Sequence, residues 1–157
     1  MKILSYLIAI PTFIIVAVAD TLRPGATYDE TRAIAAKVAI YQDLIGKPNT
    51  DKTIGAFFIP AVGLEKTKLI ETFANWNPRV DIGMTNNLVV KDSGVSDAVS
   101  KRQAKILSVE IIKVTPKRIE ALGRCYATPQ AAATYTYILD FNGTNWIILK
   151  KELKTIS

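Results

Sequence analysis

The chain has no histidine and one cysteine in 157 residues. Without histidine it lacks the commonest general base, the Ser-His and Cys-His nucleophile pairs and the usual zinc ligand. Cys125 alone builds neither a metal site nor an internal disulfide, and in a strand-like context it reads as a small buried apolar residue. Nucleophile-elbow, Walker A, dinucleotide-binding glycine, S-x-x-K and EF-hand patterns are also missing. These absences weigh against an enzyme and leave no catalytic residue, metal or cofactor to expect. Internal repeats and low-complexity tracts are lacking too, which excludes a solenoid.

Carboxylates remain as a route to catalysis. Asp81, Asp92, Asp97, Glu110, Glu120 and Asp140 are scattered, and nothing in their spacing brings two together as glycoside hydrolysis requires. Glu110 stands out inside Ser108-Val109-Glu110-Ile111-Ile112. Pointing inward it would have a raised pKa through desolvation, whereas strand alternation turns it outward as an ordinary surface acid. A carboxylate-based hydrolase is therefore kept as the alternative from the enzyme class.

What the chain does have is an average globular composition, 49% hydrophobic and 22% charged. That argues against global disorder or a coiled coil, and its length suits one domain. Twenty basic against fourteen acidic residues give +6, enough for weak attraction to anionic surfaces but no signature of nucleic-acid binding.

Met1-Lys2 precedes an apolar run from Ile3 to Ala19, interrupted by Ser5, Tyr6, Pro11 and Thr12. Ala17-Val18-Ala19 supplies the small residues a signal peptidase needs, and Asp20 follows. The expectation is a signal peptide over 1–19 and a single α+β domain over 20–157, secreted or periplasmic. An anchor retained at 3–19 is the alternative. It is disfavoured by Pro11 and by a run shorter than the roughly 20 residues of a spanning helix.

Thr27-Tyr28-Asp29-Glu30 has the form of a capping box, and Gly46 and Pro48 supply a stop. Between them Ile34, Val38, Tyr41 and Ile45 form an apolar stripe, with Arg32, Lys37 and Asp43 on the solvated face. Ile54 to Ile59 reads as a buried strand, and Leu64 to Trp76 as a helix with Leu69, Phe73 and Trp76 inward. A strand from Arg79 to Met84 turns at Asn86-Asn87 into Leu88 to Lys91, and Gly94 to Arg102 is linker-like. From Ala104 the chain becomes all-β, in runs ended by Thr115-Pro116 and by Thr128-Pro129-Gln130. The fold class expected is α+β: N-terminal helices packed on a mainly antiparallel sheet that ends in a four-stranded meander.

The last two strands are the clearest signal. Asn142-Gly143 lies between two alternating runs and predicts a two-residue type I′ hairpin. Pairing Phe141 with Thr144 sets Leu139 opposite Trp146 and Tyr137 opposite Ile148. Tyr135, Tyr137, Leu139, Phe141, Trp146 and Ile148 then share one face. Asn142-Gly143-Thr144 also matches a glycosylation sequon, which the turn already explains.

Basic residues cluster at Lys101, Arg102 and Lys105, and again at Lys150, Lys151 and Lys154. With aromatics on neighbouring strands they are candidate contacts to nucleic acid or an anionic envelope polymer, although a soluble, pairing-resistant edge explains them more simply.

The C-terminal third resembles a group of uncharacterised secreted bacterial proteins. Their tails run Gly-Tyr-Thr-Tyr-x-Leu, then Asn/Asp-Gly-x-Trp-x-Val/Ile, then Trp-Ile-Ser. Thr134 to Leu139, Asn142 to Ile148 and Thr155-Ile156-Ser157 are the matching residues. This chain departs near Ala127 and Ala131, where the resemblance implies paired cysteines, and has Thr155 for the tail tryptophan. The resemblance implies an exported α+β domain and no disulfide here. Helix-first, meander-last order is also similar to NTF2-like and cystatin-like sheets at the level of fold.

The function expected is therefore an exported, non-enzymatic domain that binds a protein partner or small ligand through its sheet. Tyr135, Tyr137 and Trp146 are the candidate ligand contacts. Nucleic acid is disfavoured as a partner, and contact with a membrane is expected only through a retained leader.

Overall fold

A computed structural model describes residues 28–47, 52–83 and 85–156. The expected leader at 1–19, Thr27 of the capping sequence and the Asn49-Thr50-Asp51 turn lie outside the described residues. Two helices and eight strands follow in the order α1 (Tyr28–Ile45), β1 (Ile54–Ile59), α2 (Gly63–Phe73), β2 (Arg79–Ile82), β3 (Leu88–Lys91), β4 (Gly94–Asp97), β5 (Gln103–Val114), β6 (Arg118–Tyr126), β7 (Ala132–Phe141) and β8 (Trp146–Ile156). They form one sheet in the order β2-β1-β5-β6-β7-β8, with the β3–β4 hairpin joined to the start of β5. The sheet is mostly antiparallel, as expected of an α+β fold. No helix among the described residues is long and apolar enough to cross a membrane.

β1 is parallel to both β2 and β5, because α2 returns the chain to the same end of the sheet before β2 begins. The strand after α2 is shorter than the sequence implies and does not turn back onto the next one. β2 ends at Ile82 and pairs with β1, whereas β3 pairs with β4. Burial explains this choice. Leu88 on β3 and Val95 on β4 cover Ala56, Phe58 and Ala104 on the second face of the sheet, which a β2–β3 hairpin would leave bare.

The stretch read as a linker, Gly94 to Arg102, is an ordered strand and turn. Its small polar residues close that turn. The Asp97 carboxylate accepts the backbone N–H of Val99 at 3.2 Å and of Ser100 at 2.8 Å.

α1 lies across the first face of the sheet. Its buried stripe is wider than the sequence spacing indicated, with Ala36 and Ile40 sealed beside Ile34, Tyr41 and Ile45. They pack on Phe57, Leu107, Ile119, Tyr137 and Leu139. Gly123 on β6 permits this approach. A Cβ there would fall 2.6 Å from the Tyr137 ring and 3.2 Å from Ile40.

Arg32, Lys37 and Asp43, expected on a solvated face, all have partners. Arg32 donates to the Pro116 carbonyl and Lys37 pairs with Glu65 on α2 at 2.7 Å. Asp43 receives Tyr137 and Lys151. Long polar side chains on the rim of the helix reach down to the sheet, a reach that stripe spacing does not capture.

The closing hairpin forms where expected with a different register. Phe141 pairs with Trp146, Leu139 with Ile148, and Tyr137 with Lys151 after a bulge. A four-residue loop replaces the two-residue turn because Asn142 Oδ1 accepts the N–H groups of Thr144 at 3.0 Å and Asn145 at 2.8 Å. The Asn142 N–H in turn bonds the Asn145 carbonyl, and Gly143 takes φ +101°. From the turn to Leu139 the shift is two residues, which preserves the faces because side chains alternate with period two; past the bulge it is three, which brings Lys151 to the Tyr137 side. The far face carries exposed ion pairs, Glu110–Arg124 at 2.6 Å and Asp140–Arg118 at 2.7 Å. Glu110 thus points outward, as alternation implies.

Candidate functional site

α1 stops at Ile45, and among the described residues no other helix covers the aromatic face at that end. The result is a cleft of about 360 Å³, lined by Leu44, Lys105, Cys125, Tyr135, Lys151 and Ile156. Its rim is low because Ala131-Ala132-Ala133 project little more than a methyl group each. Leu44 comes from the last turn of α1, and Lys105, Cys125 and Lys151 come from strand positions on the helix side. Lys105 shares that side with Leu107, Cys125 is the cross-strand partner of Leu107, and Lys151 is the partner of Tyr137.

The cationic wall is fixed from behind. Lys151 Nζ lies 2.8 Å from Asp43 Oδ2 and 4.6 Å from the centre of the Tyr135 ring. The Tyr137 hydroxyl donates to the same Asp43 oxygen at 2.7 Å. Burial, then the hydrogen bond to Asp43, pushes the Tyr137 hydroxyl far above the usual phenol range, so it stays a donor. Burial likewise raises the Cys125 thiol, and the Lys105 charge acts in the opposite direction. Cys125 is therefore a thiol lining the cleft and is not poised as a nucleophile.

The structure divides the residues that the sequence singles out. Tyr135 is half-buried at the cleft. Tyr137 is fully buried behind it, with no exposed surface. Trp146 lies at the opposite end of the hairpin, buried beside Phe141 with the Arg32 guanidinium 5.2 Å from its ring. Strand alternation also splits the two lysine clusters. Lys105 and Lys151 reach the cleft, while Lys150 pairs with Glu152 at 2.7 Å on the far face. Arg102 binds the Lys52 carbonyl at 3.2 Å, and Lys101 and Lys154 are exposed elsewhere.

Asp43 is the residue that sequence spacing missed. The signal was present, since Ala36, Ile40 and Asp43 follow one another by four and three and so share a helix face.

The scattered acids do not all stay apart. Arg79 gathers two of them, Asp81 at 2.9 Å and Asp97 at 2.5 Å. Asn87 adds an amide hydrogen bond to Asp81 at 3.2 Å. Burial alone would raise the Asp97 carboxyl. The Ser100 hydroxyl, the backbone N–H groups of Ser100 and Val99, and Arg79 outweigh it and hold the group at about 2. Asp97 is thus an ionised anchor sealed from solvent, a state suited to fixing a turn and unsuited to donating a proton.

Comparison with protein-family models, curated proteins and solved structures returned no match.

Proposed function

We propose that this chain is an exported, non-catalytic domain that binds a small amphipathic anion in the cleft beyond the end of α1. The anionic head sits against Lys151 and Lys105, and the apolar body lies on Leu44, Cys125, Ile156 and the alanine rim. The observation that carries this reading is the placement of Lys151, held over the Tyr135 ring by Asp43 before any ligand arrives. A cation whose position is already fixed loses little conformational freedom on binding, which favours affinity. The apolar floor of the cleft gives a hydrocarbon or aromatic body somewhere to go. Export is supported by the leader-like sequence from Ile3 to Ala19.

Cys125 is the chain's sole cysteine, so its reaction with an aromatic disulfide reagent reports on the cleft alone. Octanoate should slow that reaction severalfold in the wild-type chain and leave it unchanged in Lys151→Gln. Equal protection by octanoate, octanol and octylamine, or protection by none of them, would discard the proposal.

A further inference from the structure

A second cleft, of about 460 Å³, lies at the other end of the sheet along β2. All four β2 residues, Arg79, Val80, Asp81 and Ile82, line it. Successive side chains of a strand point to opposite faces, so a cleft that touches all four must straddle the strand's edge. That edge is open. β2 ends the strand order and pairs only with β1 among the described strands, which leaves its outer row of N–H and C=O groups toward the cleft.

The two walls differ in chemistry. On the helix side stand Ile70, Phe73 and Trp76, with the Phe73 and Trp76 rings edge to face at 4.8 Å. On the other side stand Asp81, Thr85 and Asn87. Arg79 is held by both carboxylates of Asp81 and Asp97, and two carboxylates against one guanidinium leave one negative charge at this wall.

The opposite edge of the sheet makes a useful contrast. β8 carries Lys150, Lys151 and Lys154 along its length, the usual defence of an edge against added strands. β2 has no lysine, and its one arginine is tied down by carboxylates.

From this arrangement we infer that the β2 edge accepts an extended peptide segment of a partner protein as an added strand. About four residues of the segment, some 13 Å, would pair with β2. Its side chains alternate in character, apolar ones against Ile70 and Trp76 and basic ones against Asp81 and Asn87. Main-chain pairing supplies affinity that is indifferent to sequence, and the two unlike walls supply the preference for alternating apolar and basic residues.

The probes are three synthetic hexapeptides titrated into the full chain and followed by backbone amide resonances: Val-Lys-Val-Lys-Val-Lys, the block sequence Val-Val-Val-Lys-Lys-Lys and the acidic Val-Glu-Val-Glu-Val-Glu. The alternating basic peptide should shift amides 79–82 saturably and bind at least tenfold more tightly than the other two. Asp81→Asn should weaken it about tenfold. Ile70→Lys, at a position 48% exposed and so tolerant of change, should abolish it without loss of fold. Equal response to the three peptides, or none, overturns the inference. Concentration-dependent broadening of amides 79–82 without peptide overturns it as well, because a second copy of the chain would then be the edge's occupant.

Discussion

The Tyr137 hydroxyl donates to Asp43 Oδ2 over 2.7 Å, joining β7 to a helix ninety-four residues earlier in the chain. The same oxygen takes Lys151 at 2.8 Å, so one carboxylate secures a buried phenol on one side and orients a cleft lysine on the other. The two variants that break this link should behave differently. Tyr137→Phe removes a hydrogen bond to a charged group and leaves Lys151 paired, so stability should fall by about 2 kcal/mol in urea titration with octanoate protection of Cys125 retained. Asp43→Ala strands a buried hydroxyl and releases Lys151. It should lose a similar amount of stability together with the protection. Identical ligand behaviour in both variants would show that Asp43 does not position Lys151.

Asp97 sets the acid limit of the fold. Its carboxyl titrates at about 2 in the folded chain against an ordinary 3.8, a depressed value. The stabilisation is therefore complete above 3.8 and is lost as the pH falls through about 2. A shift of that size corresponds to about 2 kcal/mol. Chemical denaturation of the wild type should show stability dropping between pH 4 and pH 2, and Asp97→Asn should be less stable at pH 7 with a flatter slope across that interval. An unchanged slope in the variant would assign the acid sensitivity to other carboxylates.

Much of this architecture was legible from residues alone, and the pattern of success has a physical basis. α1, α2 and the meander carry periodic runs whose period is enforced by burial of one face, and β1 is a short continuous apolar run buried on both. The closing hairpin keeps its faces from the turn to Leu139, because a two-residue shift cannot exchange them, and its loop differs because the Asn142 side-chain oxygen offers the backbone an alternative acceptor. The Gly94 to Arg102 stretch reads as linker although it holds β4, because a strand of four residues carries too few alternations to be seen. The cleft residues were partly named, in Tyr135, Lys105 and Lys151. What the sequence concealed was which lysine of each cluster turns inward, since that depends on register and on a bulge between Ile138 and Leu139. The meeting of Asp81 and Asp97 on Arg79 joins β2 to a turn eighteen residues away, and no local pattern reports such a contact.

Gly123 tests how tightly α1 is seated. Its Cβ would meet the Tyr137 ring at 2.6 Å, Ile40 at 3.2 Å and Leu44 at 3.3 Å, so neither the sheet nor the helix has room for a methyl group. Gly123→Ala should destabilise the chain by about 1–3 kcal/mol, the usual cost of overpacking, even though alanine suits a strand no worse than glycine. A variant as stable as the wild type would mean that α1 lifts easily from the sheet, and the cleft bounded by its last turn would then be malleable.

Trp146 separates the packing role of an aromatic from its polar one. The side chain is 8% exposed and packs against Phe141 at 5.3 Å between ring centres. Its Nε1 is buried with no hydrogen-bond partner among the described residues. Replacing it with alanine empties a large volume and should cost about 3–5 kcal/mol. Phenylalanine keeps most of the ring and removes a donor that gains nothing where it lies, so Trp146→Phe should cost well under half as much. Thermal unfolding of the two variants side by side measures the difference directly. Near-equal losses would mean that the indole N–H is satisfied in solution and that the end of the hairpin admits water. Wild-type stability in Trp146→Ala would instead make Trp146 a surface residue, and its burial beneath the first turns of α1 would have to be abandoned.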